Sequence, residues 1–203
     1  MIRLINVSKK IKGREVLKDI NVDFLEGKMY LLKGHNGCGK TMLLRMISGL
    51  ISPTDGRVET EEKYDYGVLI ENPVFLDNYS GLYNLTYLAS IQKKISNVDI
   101  ENMMKLFNLY DVKDDKVKKY SLGMKQRLGL IQAFMENQDV ILLDEPFNAL
   151  DEANMNIVFD YINNEKKKGK IIIVAAHALE QARVKEFDCV ISMDNGRIVN
   201  VNE

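Results

Sequence analysis

Apolar positions recur along the chain at two spacings, and their order reveals more than their exact ends. The stretch from "MIRLINVSKK" through "LKDINVDFLEG" reads as β-rich, with Gly13 and Gly27 as turn residues. "KMYLLKG" at 28–34 is a strand entering a glycine-rich turn, and "KTMLLRMISGL" at 40–50 carries its apolar residues at helical spacing. "ISPTDGRVET" turns and returns to strand, and "YGVLIE" at 66–71 follows as another. From Pro73 to Glu136 only helical patterns occur: "SGLYNLTYLASIQKK", "NVDIENMMKLFNLY" and "SLGMKQRLGLIQAFMEN". Alternation then resumes with strand "DVILLDE", helix "EANMNIVFDYINNEKKK", strand "KIIIVAAH", helix "ALEQARVKEF" and a closing β pair, "DCVISMDNGRIVNVN". Strands alternating with helices predict an α/β fold: a parallel sheet covered on both faces, with ligands at the C-terminal ends of its strands. The expected organisation is one domain over 1–203, with 1–72 and 137–203 forming a core plus an N-terminal antiparallel β subdomain, and 73–136 an inserted α-helical subdomain.

Composition narrows the function classes. The 203 residues carry 28 Lys and Arg against 29 Asp and Glu, so no overall field favours nucleic acid or anionic lipid. Basic runs such as "KVKK" and "EKKKGK" read as solvated helix ends. Two cysteines, Cys38 and Cys189, make no disulfide framework, and no apolar leader opens the chain, so a reducing cytoplasmic location is expected. The longest plain apolar run, "IIIVAA", is too short to span a bilayer. A membrane role would therefore require a partner chain.

Two elements carry chemistry. "GHNGCGKT" fits G-x-x-x-x-G-K-[ST], between a strand and a helix, where glycines let backbone N–H groups converge on phosphate oxygens and the helix dipole adds positive potential. Gly34, His35, Asn36, Gly37, Cys38, Gly39, Lys40, Thr41 and Met42 are the candidate phosphate-binding residues. Lys40 would reach the β and γ phosphates, and Thr41 would offer a hydroxyl to Mg²⁺. Cys38 reads as a small filler within the loop. The second element, "VILLDEP", is a buried strand ending in Asp144 and Glu145. Such carboxylates are costly to bury unless paired or employed, and Asp144 suits the Mg²⁺ shell while Glu145 is placed to polarise an attacking water.

With "YSLGMKQR" at 120–127, "ILLDEPFNALD" and a later His177, the chain resembles the nucleotide-binding subunit of ABC (ATP-binding cassette) transporters over essentially its whole length. The resemblance implies a P-loop NTPase core, ATP and Mg²⁺ as cofactors, and ATP hydrolysis coupled to transport. It further implies a transmembrane permease subunit as a separate partner, with the chain peripheral at the inner face of the cell membrane through it. A second cassette would face the first head to tail, so that ATP lies between 34–41 of one copy and Ser121 and Gly123 of the other. No nucleic acid partner is expected; the alternative weighed is a non-transport cassette of DNA repair or translation. Ser121 and Gly123 keep the family's signature pair, while Tyr120, Leu122 and Met124 depart from it. Asp151 falls in the loop that crosses the interface, and His177 corresponds to the family's switch histidine.

Two further departures matter. Ile11 takes the position where the family usually stacks an aromatic on adenine, which predicts weaker or less selective base contact. Glu71 stands where the family carries the Q-loop glutamine, an expected Mg²⁺ ligand at the join with the helical segment. A glutamate there resembles the E-loop cassettes of lantibiotic-immunity and bacitracin-resistance exporters, and a peptide antibiotic or other hydrophobic compound is the expected cargo. Phe75, Leu76, Tyr79, Leu82 and Tyr83 are equally suited to contacting a membrane partner or to filling the helical core.

Overall fold

A computed structural model describes all residues 1–203. The chain opens as a hairpin of β1 (Ile2–Ile11) and β2 (Arg14–Phe24), joined at Lys12 and Gly13, both with positive φ, which suits the right-handed twist of the two strands. β3 (Met29–Lys33) leads to α1 (Lys40–Ile47), and β4 (Asp55–Thr60) returns antiparallel to β1, giving a three-stranded sheet β2-β1-β4. β5 (Tyr66–Leu69) precedes three helices, α2 (Gly81–Gln92), α3 (Asn97–Leu106) and α4 (Leu122–Phe134). β6 (Val140–Asp144), α5 (Glu152–Lys167), β7 (Ile171–Ala176), α6 (Gln181–Val184), β8 (Cys189–Asp194) and β9 (Arg197–Asn202) complete the chain.

The second sheet runs β5-β6-β7-β3-β8-β9, parallel throughout except for β9, which closes an antiparallel hairpin with β8 at the edge. Every residue of β6 and β7 is buried, as strands covered on both faces require. Successive side chains of these strands serve opposite cores. Leu32, Leu142 and Ile173 join α1 and the three-stranded sheet, packing with Leu4, Leu17, Phe24 and Leu44. Leu31, Leu143 and Val174 face the other way, towards Leu128, Ile131 and Phe134 of α4 and Phe159 of α5. The architecture is thus the expected α/β arrangement. The C-terminal ends of β3, β6 and β7 are neighbours, which brings the glycine-rich loop, Asp144–Glu145 and His177 to one rim.

Several element ends differ from the sequence expectation, among them α3, which stops at Leu106 and not at 110. α1 stops at Ile47, where Gly49 with φ +75 turns the chain, instead of running to 50. β5 ends at Leu69, and Glu71, with φ +61, turns away in the left-handed region. The helix expected over 178–187 is one turn only, because Phe187 is buried and Asp188 N–H already donates to Met29 O as the chain re-enters the sheet.

Candidate functional site

The loop after β3 is shaped by close approaches. A Cβ on Gly34 would strike the Met193 carbonyl and the Cys38 sulfur, so the chain passes there only without a side chain. Gly39 has φ +115, which a side chain strains, and it caps α1 without a side-chain hydrogen bond. The first-turn N–H groups of α1 therefore have no intrahelical partner and form an anion cradle reinforced by the helix dipole. Cys38 is buried in the apolar core, as a filler would be.

Around the cradle lies a cavity of about 640 Å³. Within it Lys40 is buried, and its Nζ donates to the carbonyls of Gly34 at 2.7 Å and His35 at 3.3 Å. A buried ammonium with only carbonyls as hydrogen-bond acceptors and a carboxylate, Glu145 Oε1, at 3.9 Å is available for a stronger anion. Thr41 Oγ1 donates to Asp144 Oδ2 at 2.6 Å. Burial pushes the Asp144 carboxyl above its ordinary range, the Thr41 hydrogen bond opposes that, and the charge of Glu145 adds to it.

Glu145 sits at φ +47 immediately beyond β6. Its N–H donates to Ala175 O at 2.8 Å, its carbonyl accepts from Gln126 Nε2 at 3.2 Å, and its Oε1 lies 2.9 Å from His177 Nδ1. Three elements, β6, β7 and α4, thus hold one carboxylate at the cavity. His35 places both ring nitrogens on acceptors, Nδ1 on Asn36 O at 2.8 Å and Nε2 on Asp194 Oδ1 at 3.0 Å, and these hydrogen bonds raise its pKa.

Glu71 also lines the cavity, but its Oε1 is bonded to Arg45 Nη2 of α1 at 2.6 Å. Nowhere do three or more His, Cys, Asp or Glu side chains form a metal cluster. The oxygens of Thr41, Asp144 and Glu71 are hard donors of the kind Mg²⁺ prefers, and Mg²⁺ ordinarily takes one or two carboxylates and completes its shell with water and phosphate.

The other candidates lie elsewhere. Ile11, at the end of β1, is 40% exposed and does not line the cavity. Ser121 caps α4, its Oγ accepting from Met124 N–H at 3.2 Å. Gly123 leaves room for the Ala149 carbonyl, which a Cβ would meet at 2.5 Å. Asp151 caps α5, and hydrogen bonds from the Asn154 backbone and side chain hold its carboxyl below the usual range. None of these three lines the chain's own cavity.

The cavity wall also includes Arg14, Val16 and Lys18 of β2, which sequence reasoning missed, together with Asn195 and Gly196 of the β8–β9 turn. Glu15 lines the cavity as well, and the register of β2 against β1 shifts at Val16, so strict alternation in "REVLK" does not predict which of these residues face the cavity. Of the surface candidates, Phe75 and Leu82 pack against the core, whereas Leu76, Tyr79 and Tyr83 are exposed. Tyr87 and Ile91 continue that exposed row along α2. Adjacent rings stack, Tyr79 on Tyr83 with centroids 4.4 Å apart and Tyr83 on Tyr87 at 6.3 Å.

Residues 17–148 match the ABC transporter family. The chain is 41% identical to the uncharacterized ABC transporter ATP-binding protein YybJ of Bacillus subtilis, over 98% of this chain and 94% of that protein. It is 32% identical to the bacitracin transport ATP-binding protein BcrA of Enterococcus faecalis, covering 98% of this chain and 68% of the relative. Among solved structures, the dimeric post-hydrolysis state of the ATP-binding cassette MJ0796 with ADP and Pi superposes over 100% of this chain and 98% of its own, with a TM-score of 0.90 at 20% identity, a likeness of fold. Matched by family, by relatives along its whole length and by fold, the chain belongs to the ABC transporter family as an ATP-binding subunit, in a family of ATPases.

Proposed function

We propose that the cavity binds ATP with Mg²⁺, that Glu145 assists its hydrolysis, and that the chain drives a separate membrane-spanning partner exporting a peptide antibiotic or another hydrophobic compound. The observation that carries this reading is the placement of Glu145, held at φ +47 with its carboxylate between His177 and Lys40 on the rim where Thr41 meets Asp144. In the reaction a water oxygen attacks the γ-phosphorus, Glu145 draws off the water's proton, and the β-phosphate oxygen leaves with the bond's electron pair. Lys40 would exchange its carbonyl partners for phosphate oxygens, and the α1 N-terminus would hold the β-phosphate. His177 orients Glu145 through their 2.9 Å contact. Thr41, Asp144 and Glu71 would hold Mg²⁺, which when bound neutralises charge on the β and γ phosphates.

Ser121, Gly123 and Asp151 lie away from the chain's own cavity, which supports a site completed by a second copy facing head to tail. The cargo class rests on the name of BcrA and on the glutamate at 71. No helix is long and apolar enough to cross a membrane, so the proposed location at the membrane's inner face depends on the partner. No observation favours a role in DNA repair or translation.

Glu145→Gln tests the reading with two measurements. Phosphate release is expected to fall by about 10²- to 10⁴-fold, the usual contribution of a general base, with ATP binding retained. The same variant with ATP is expected to elute as a dimer in size-exclusion chromatography with light scattering, and as a monomer without it. Undiminished turnover would refute the role of Glu145, and a persistent monomer would refute the shared site.

A further inference from the structure

We propose that Arg45 is a positioning residue for Glu71, holding its carboxylate on α1 until a cation reaches the site and thereby setting how strongly nucleotide binding depends on that cation. The inference rests on the reading of the cavity as a Mg²⁺–nucleotide site. Thr41 and Arg45 are four residues apart on α1 and so share one face, placing the guanidinium one turn beyond the hydroxyl that meets Asp144. Glu71 is fixed by little else. Its side chain is 61% exposed, its backbone is in the left-handed region, and the 2.6 Å bond to Arg45 Nη2 is its side chain's hydrogen-bonded contact.

The pair follows from chemistry peculiar to glutamate. An amide at 71 would need no counter-charge, whereas a carboxylate facing Asp144 and Glu145 across one cavity adds a third negative group, and its field already presses on Asp144. Arg45 neutralises that group. When the cation takes over this task Glu71 is released, so Arg45 and the cation compete for one carboxylate. An exposed pair contributes little to stability, and its consequence lies in this competition.

The test is a double-mutant cycle on the full chain, titrated by calorimetry with adenylyl imidodiphosphate in Mg²⁺ or in EDTA. Arg45→Ala is expected to tighten binding in Mg²⁺ by about two- to fivefold, the range an exposed ion pair supports, and to weaken binding in EDTA, where the unmasked Glu71 carboxylate repels the nucleotide's phosphates. In the Glu71→Gln background the same substitution is expected to have no effect in Mg²⁺. An equal change in both backgrounds, or an equal change with and without Mg²⁺, overturns the role of Arg45. Failure of the unaltered chain to bind nucleotide in either condition overturns the reading of the cavity, and this inference with it.

Discussion

At the residue scale the cavity sets function against stability. Asp144 is buried beside Glu145, and its carboxyl is pushed up chiefly by desolvation, so its charged form costs folding energy in the nucleotide-free chain. Asn at 144 would keep an oxygen to accept the Thr41 hydroxyl while removing that charge. Asp144→Asn is therefore expected to raise Tm without nucleotide by about 2–4 °C, the shift that ~1 kcal/mol produces in a chain of this size, and to abolish the Mg²⁺ enhancement of nucleotide binding. Thermal unfolding followed by fluorescence, with and without Mg²⁺ and nucleotide, checks both halves; a lowered Tm would mean the carboxylate stabilises the site instead. That Lys40, Thr41, Asp144 and Glu145 come together at one cavity was legible in the sequence, because each lies within a contiguous motif whose spacing encodes its geometry. The contacts Glu145–His177 and Glu71–Arg45 were not, since they depend on β6 lying beside β7 and on α1 facing the end of β5, which are properties of topology.

Elements were legible where local chemistry and burial agree. Ser80, Ser96, Ser121 and Asp151 each cap a helix by accepting from a backbone N–H, so the starts of α2, α3, α4 and α5 carry their own signals. α6 and the end of β5 were misread because their lengths are decided by where the chain must re-enter the sheet or leave it. Another feature hidden in the sequence is how α5 is tied to β7. Glu165 is 3% exposed, and its carboxylate pairs with Lys168 Nζ at 2.6 Å and with Lys170, itself buried. Lys170 Nζ also donates to Asn137 Oδ1 at 2.8 Å. Burial pushes the Glu165 carboxyl up, but the two lysines outweigh it and hold it below the usual range. A depressed carboxylate contributes stability above its unfolded pKa, near ~4.3, and that contribution is lost as pH falls through the lower folded value. Lys170→Met should cost about 3–5 kcal/mol at pH 7, because it strands a buried carboxylate. The loss should shrink as pH falls towards about 4, because a stranded buried carboxylate takes up its proton above its unfolded pKa. Urea denaturation at both pH values measures this, and a loss below ~1 kcal/mol at pH 7 would show that Lys168 alone suffices.

Across the whole molecule a chain of contacts lies between the cavity and the exposed face of α2. Glu71 stands at the cavity, and the segment after it is tied to α2 by buried Asn84, whose Oδ1 accepts from Leu76 N–H and whose Nδ2 donates to the carbonyls of Leu76 and Ser80. Gly81, opening α2, leaves room for the Tyr120 ring, and Tyr120 directly precedes Ser121 at the start of α4. Contacts of α2 therefore run to the segment that follows Glu71 and to the residue that precedes Ser121. The helix carries no charged side chain, and Tyr79, Tyr83, Tyr87 and Ile91 are between 43% and 70% exposed, an apolar row that marks an interaction surface more than a solvated one. Stacked tyrosines suit the desolvated centre of an interface, since they bury much area with few torsions to fix. The proposed membrane partner is accordingly expected to dock here, and the joint substitution Tyr83→Asp with Tyr87→Asp should release the chain from membranes of cells expressing that partner. Both side chains are surface groups, so the nucleotide affinity of the purified variant should stay within about twofold of the unaltered chain, as for other substitutions away from structural features. Membrane sedimentation and calorimetry read the two outcomes separately. Undiminished sedimentation with membranes would move the docking surface elsewhere, and joint loss of sedimentation and nucleotide affinity would mean the row supports the fold.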